Sequence, residues 1–377
     1  MNEDYNNNIP TPVTGDALLV KEVEPYLLSA AVDYPEPHYL LEYQGVGFSP
    51  LGGIQAISGQ KKNGKTFVLT QLMSVILNAS SERVKAKLPG LTLNESTLAY
   101  LDKQPSVLYV DTEMEKLNTA KVIRRVHWLC GWELNQDHDN FRTLWLRTVE
   151  EPAEKIRIVQ KAIALYKPTA VFIDGIRDLV SDFNSLDETM PLIASLMKTA
   201  TECDCCIWNV LHYNPRPAND DEGKMRGHLG TELGNKVTDT LASFKKKTPD
   251  GFVTFTVRQL DARGKDIPDW TFEILDDAGG LGIPRIIGQV GPSMTTDVSD
   301  DELTSMTYAI RKVITPPKSE RYINIVDGIK KVAGIGTNKA QRWFRILRER
   351  GIITDPMNGL YSLDMKSLKI LEDDLPF

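Results

Sequence analysis

The stretch ISGQKKNGKTFVLTQLMSVIL, residues 57–77, sets a glycine-bracketed, lysine-rich turn between an apolar run and a helix-length apolar segment. Gly59, Gly64, Lys65 and Thr66 fit the pattern GxxxxGK[ST], which gains its meaning from a strand before it and a helix after it. Both neighbours are expected here, the strand from GGIQAIS and the helix from the residues after Thr66. A loop of this kind, Gly59 to Phe67 with Gln60, Lys61, Lys62 and Asn63 inside it, turns backbone N–H groups inward. The helix adds its positive end, so a polyphosphate meets many donors at once. Lys65 is expected to reach the β and γ phosphates, and Thr66 to offer its hydroxyl to Mg²⁺. Lys61 and Lys62 are expected to stay solvated or to add general positive charge. The cofactors implied are ATP and Mg²⁺.

Working outward, three further apolar runs follow, SVLYVDTE, AVFIDGI and CCIWNVLHYN, each separated by a helix-length segment. Buried strands split by helices imply a mainly parallel α/β sheet with helices on both faces. Each run ends in polar residues, which fall at the carboxyl edge of the sheet beside the phosphate loop. Asp174 ends four apolar residues and is expected to hold a water of the Mg²⁺ shell. Asp178, four residues on, is expected to cap or solvate the next segment. Asp111 and Glu113 both stand where a general base for an attacking water is needed, and spacing alone allows either. His212, with Asn214, stands where a side chain can hydrogen-bond a γ phosphate and report its loss. Two alternating runs, TDTLASFKKK and GFVTFTVRQL, are joined by TPDG, a hairpin signal that predicts an antiparallel edge.

The 377 residues suit a main domain with a smaller appendage. With 41% hydrophobic and 25% charged residues, and no apolar run of the roughly 18 residues a membrane span needs, a membrane role has no support. The start, MNEDYNNNIPTPVTGD, lacks a basic end and an apolar stretch, so a cytoplasmic protein is expected. Cys130, Cys203, Cys205 and Cys206 lack disulfide-framework spacing, and the CDCC cluster reads as small residues entering a strand. The expected division is a polar arm over 1–40 with a short helix near 17–31, the α/β domain over 41–280, a Gly-, Ser- and Asp-rich linker over 281–300, and a small domain over 301–377.

The net charge of −7 argues against a chain that coats nucleic acid along its whole surface, yet charge is uneven. From Arg311 to Arg350 there are eleven Lys or Arg against three acids. Helices are expected near 302–313, 322–332 and 338–350, then a hairpin in GIITDPMNGLYSL turned at Asn358 and Gly359. Three helices and a hairpin is the order of a winged helix-turn-helix. In TNKAQRWFRILRERG, Ala340, Trp343, Phe344 and Leu347 share one helix face, with Thr337 as the expected N-cap. Arg342, Arg345 and Arg348 lie away from that face, as a recognition helix presents cations to DNA. A charged helix in a protein-docking winged helix has the same pattern.

Together these motifs resemble the RecA-like ATPase core and, within it, the RepA-type hexameric helicases and related plasmid or mobile-element ATPases, over residues 45–275. YVDTEM resembles the family's strand with a catalytic glutamate, which favours Glu113 over Asp111. VFIDGIRDL resembles its metal-binding strand, in support of Asp174, and LHYN resembles its γ-phosphate sensor, in support of His212. The resemblance implies that NPRPANDDEGKMRGHLGTEL faces a central channel, with Arg216, Lys224 and Arg226 toward single-stranded nucleic acid. It also implies a basic finger donated to the neighbouring subunit, for which Arg263 and Lys265 are candidates and Arg258 less so. Their spacing departs from the family's Lys-x-Arg pattern, and the segment 83–104 is longer than a compact core requires.

The function expected is ATP hydrolysis driving a DNA-dependent, ring-forming motor, a homo-oligomer that is hexameric by the resemblance. Single strands would pass through the core and duplex would meet the winged helix. Two other readings fit the same residues: an ATP-switched DNA-binding regulator or partition protein that does not unwind, and a RecA-fold defence or signalling ATPase.

Overall fold

The computed structural model describes residues 21–213, 225–247, 252–277, 279–287, 300–315, 318–349, 351–354 and 360–373. Side chains at 300, 301, 338, 342, 345, 349 and 370–373 are not described. The chain divides into two units, Met1–His38 and Tyr39–Phe377. In the first, residues 21–23 are helical and run into a 3₁₀ turn, Glu24–Tyr26, in which no side chain is buried. The helix expected near 17–31 is thus one short turn among the described residues.

The second unit opens with β1 (Tyr39–Tyr43) and β2 (Val46–Pro50), followed by β3 (Ile54–Gly59) and α1 (Lys65–Asn78). The long segment after α1 folds into α2 (Glu82–Lys87), β4 (Leu91–Leu93) and α3 (Glu95–Leu101). It closes a small sheet, β2-β1-β4, which accounts for its length. Next come β5 (Val107–Asp111), α4 (Lys116–Cys130), β6 (Phe141–Trp145), α5 (Pro152–Tyr166), β7 (Ala170–Asp174), α6 (Leu186–Cys203), β8 (Cys206–His212) and α7 (Gly227–Lys236). Strands β9 (Asp239–Lys247), β10 (Val253–Ala262), β11 (Trp270–Leu275) and β12 (Ile283–Ile287) complete the core.

The main sheet has nine strands in the order β12-β11-β10-β9-β3-β8-β7-β5-β6. From β9 to β6 every pair is parallel, and β9 to β12 run antiparallel. Strands β3, β5 and β7 are buried at every residue, which is why they read as unbroken apolar runs. One hydrophobic core lies on the face of α1 and α4, with Leu72, Val126 and Trp208, and the other on the face of α5 and α6, with Ile163, Leu196 and Ile207. The fold is the α/β, RecA-like arrangement, and β3 sits between β8 and β9, so its carboxyl end opens onto the middle of the sheet edge.

Two expectations change. The linker expected over 281–300 begins too early: Ile283–Ile287 is the edge strand β12, paired to β11 from Leu275↔Ile283 to Thr271↔Ile287. The glycines that suggested a linker, Gly279, Gly280 and Gly282, make its approach with φ of 71°, 84° and 71°, a region open to glycine. Buried Ile283 and Ile286 then join the core. The second change concerns Cys203, which is exposed on the last turn of α6, whereas Cys205 and Cys206 are buried where the chain enters β8.

The C-terminal elements are α8 (Asp300–Val313), β13 (Glu320–Arg321), α9 (Tyr322–Ala333), α10 (Thr337–Glu349), β14 (Leu360–Tyr361) and α11 (Met365–Asp373). β13 pairs β14, and Ile353 bridges Leu363. The expected α10 face is the buried one: Ala340, Phe344 and Leu347 are inaccessible and Trp343 nearly so. Each such large side chain contributes about 1.5–3 kcal/mol by leaving water. Thr337 is the first helical residue, because the Ala340 N–H donates to the Gly336 carbonyl at 3.0 Å. Gly336 therefore takes the cap position expected of Thr337. The hairpin turn at Asn358 and Gly359 lies outside the described residues. Among the described residues, no helix is long and apolar enough to cross a membrane.

Candidate active site

At the end of β3 the chain must pass close under β9. Gly59 has φ 146°, and a Cβ there would sit 2.8 Å from the Ser243 carbonyl oxygen. Asn63 Nδ2 donates to the same oxygen at 3.2 Å, and the Ser243 hydroxyl donates to the Asn63 carbonyl. At Gly64 φ is 83°, and a Cβ would meet the Phe255 ring at 2.7 Å. Only glycine meets both the backbone angle and the clearance at these two points. Gln60, Lys61 and Lys62 are exposed, while Lys65 is buried as the first residue of α1. Its Nζ donates to the carbonyls of Gly59 (3.0 Å) and Gln60 (2.8 Å), so the ammonium sits inside the wrapped loop. Burial lowers its pKa to about 8, against the opposing pull of the Asp174 and Glu113 charges.

Opposite the loop, Asp174 ends β7 and is buried. The Thr66 hydroxyl donates to Asp174 Oδ2 at 3.0 Å, which brings the two expected metal-side groups together. Burial, with the charges of Glu113 and Asp111, raises the Asp174 pKa to about 7. A hydroxyl and a carboxylate oxygen at this spacing, beside a glycine cradle a Cβ would obstruct, suit the hydrated Mg²⁺ of a nucleotide.

Hydrogen bonds distinguish Asp111 from Glu113, which spacing left equal. Asp111 is fully buried, and its carboxylate accepts from the N–H groups of Glu113 (3.0 Å) and Met114 (2.9 Å) and from the Thr119 hydroxyl (2.6 Å). It holds the turn leading into α4. Glu113 instead points into the site, with Oε1 at 3.6 Å from His212 Nε2. The His212 imidazole beside it holds its carboxyl below the ordinary value, outweighing burial. Sequence reading missed Gly175, next in chain to Asp174: a Cβ there would lie 2.6 Å from Glu113 Oε1. It also misplaced Asp178, whose carboxylate accepts from the Thr112 hydroxyl at 3.0 Å rather than capping the following segment.

Lys65, Thr66, Glu113, Asp174 and His212 thus line one cavity of about 360 Å³, with Phe255 on its outer wall. Phe255 carried no sequence signal beyond its place in an alternating strand. Several expected residues lie elsewhere. Arg263 and Lys265 are exposed on the loop after β10, with the Arg263 N–H donating to the Thr238 carbonyl at 3.0 Å. Arg258 pairs with Asp269 at 3.0 Å. Arg226 stacks over Phe183 at 4.8 Å, and its N–H donates to the His212 carbonyl at 3.1 Å. Arg216 and Lys224 lie outside the described residues. On α10 the Arg342 and Arg345 side chains are likewise outside them, and Arg348, expected to lie away from the apolar face, is exposed, with its guanidinium 5.9 Å from the Tyr361 ring.

No curated protein matches the chain. Residues 29–216 match the family AAA_25, described as an AAA domain, a span that takes in the phosphate loop, Glu113, Asp174 and His212. The loop, the Thr66–Asp174 pair and the parallel sheet agree with that match, and together they support a P-loop ATPase domain over this part of the chain.

Proposed function

We propose that the chain is a nucleic-acid-dependent ATPase motor resembling RepA-type replicative helicases of plasmids or mobile elements. It would work as a homo-oligomeric ring, hexameric by that resemblance, with a C-terminal winged helix that meets duplex DNA. Lys65 would hold the β and γ phosphates, and Thr66, with Asp174 through a water of its shell, would hold Mg²⁺, which when bound offsets the phosphate charge. Glu113 orients the attacking water and takes its proton. Arg263 or Lys265 of a neighbouring subunit would complete the charge stabilisation.

The observation that carries this reading is the pairing of two residues beside the hydrolytic site. Tyr213 bridges Met225, and the Arg226 N–H donates to the carbonyl of His212, whose ring contacts Glu113. Arg226, one of the cations expected to face nucleic acid, is thus tied through the backbone to the strand end that carries His212, which supports coupling of nucleotide state to nucleic acid. The test is ATP turnover with and without single-stranded DNA, followed by strand displacement on a forked duplex. Stimulation with displacement supports the motor. Stimulation without displacement favours an ATP-switched DNA-binding regulator, and turnover indifferent to DNA favours a signalling or defence ATPase.

A further inference from the structure

Phe255 bounds the phosphate cavity. That ring and Ile274 also line a second, larger cavity, of about 980 Å³, between the β9–β11 side of the core and the C-terminal helices. Its far wall is made by Glu302, Gly336, Thr337, Lys339 and Gln341. A nucleoside triphosphate whose β and γ phosphates sit at Lys65 fills the smaller cavity with its phosphates and must send base and sugar past the outer wall. Small-molecule sites occupy roughly 300–1,000 Å³, and the smaller cavity stands at the low end of that range.

The shared wall suits a base. Phe255 is pressed on the loop at Gly64 and stacked on Phe272 with centroids 5.1 Å apart and planes 17° apart, so its buried ring is a fixed apolar edge between the two cavities. Thr337 and Gln341 bring donors and acceptors from the facing helix α10, which a base edge or ribose hydroxyls can use. The same strand region also packs against the C-terminal core. Phe252, just before β10, meets Tyr322 there edge to face at 5.4 Å.

We propose that this cleft is the nucleoside half of the nucleotide site, so that the C-terminal helices close over the base and sugar while the loop holds the phosphates. The proposal rests on the ATPase reading and adds to it a substrate-binding role for the C-terminal domain.

The test uses the full chain, Mg²⁺, ATP and inorganic tripolyphosphate as titrants, with dissociation constants read by calorimetry. Gly336 has open space around the position of a Cβ and no left-handed φ, so Gly336→Trp fills the cleft without a backbone penalty. Expected is a rise of about tenfold or more in Kd for ATP, with Kd for tripolyphosphate held within about twofold. Should Gly336→Trp fail to fold by its melting curve, Gln341→Ala decides the matter with a smaller rise of the same selectivity. Equal weakening of both titrants, or no change in either, overturns the nucleoside assignment. Failure of the unmodified chain to bind either titrant sinks the ATPase reading instead.

Discussion

His212 Nε2 lies 3.6 Å from Glu113 Oε1, so the side chain ending β8 touches the carboxylate just beyond β5, across the end of β7. Glu113 is thereby held over the cavity while Asp111 is consumed by three hydrogen bonds. Glu113→Gln should bind Mg·ATP with ordinary affinity and lose turnover by about 10²–10⁴-fold, the usual worth of a positioned general base. Single-turnover hydrolysis alongside equilibrium binding checks it, and retained turnover moves the base elsewhere. His212→Ala should keep basal hydrolysis within an order of magnitude and lose its response to single-stranded DNA.

Gly175 gives the same carboxylate its room. A Cβ there would stand 2.6 Å from Glu113 Oε1, closer than real Cβ contacts come. Gly175→Ala should displace Glu113, and a shift of about an ångström costs on the order of 10²-fold in rate. The nucleotide Kd should stay unchanged, since Lys65 and Thr66 lie across the cavity, and a kcat against Kd comparison reads the split.

Much of this was legible because burial writes itself into the sequence. β3, β5 and β7 are covered on both faces, so they appear as apolar runs, and β7 brings its last residue, Asp174, to Thr66 of the loop. The α10 face follows the same logic at helical spacing. What stayed hidden depends on tertiary contact. β6 is an edge strand buried fully only at Phe141, and β12 stands behind three glycines that read as linker. By spacing Asp111 and Glu113 have equal standing, and beyond the resemblance that favours Glu113 it is the N–H groups gathered around Asp111 that separate them. Gly175 matters through a side chain 62 positions earlier in the sequence, which no local pattern records.

Asp174 predicts a pH dependence. Burial and the neighbouring carboxylates raise its pKa to about 7, so below that pH the group carries a proton in the nucleotide-free protein. Metal binding needs the carboxylate, so Mg²⁺ must displace that proton in acid. Affinity for Mg²⁺ in the presence of nucleotide should therefore rise as pH increases through about 7 and level off above it, with a limit of about tenfold per pH unit on the acid side. Asp174→Asn should bind Mg²⁺ more weakly and flatten the profile. Titration between pH 6 and 8 measures it, and an unchanged slope in the variant assigns the dependence to another group.

Phe344 predicts how far the two cores stand apart. Its ring is inaccessible and meets Tyr322 and Tyr361 edge to face, each with centroids 5.0 Å away. Removing it leaves a cavity among α9, α10 and β14, and Phe→Ala changes in such places cost about 3–5 kcal/mol. The main sheet carries its own cores and includes none of these residues. Phe344→Ala should therefore expose the C-terminal helices to protease at temperatures where the sheet still resists, and should leave the tripolyphosphate Kd at its starting value. Because the C-terminal helices form one wall of the cleft beyond Phe255, ATP affinity should fall in step with that loosening. A single cooperative transition in which sheet and helices are lost together would instead mean that the cleft joins the two cores into one folding unit.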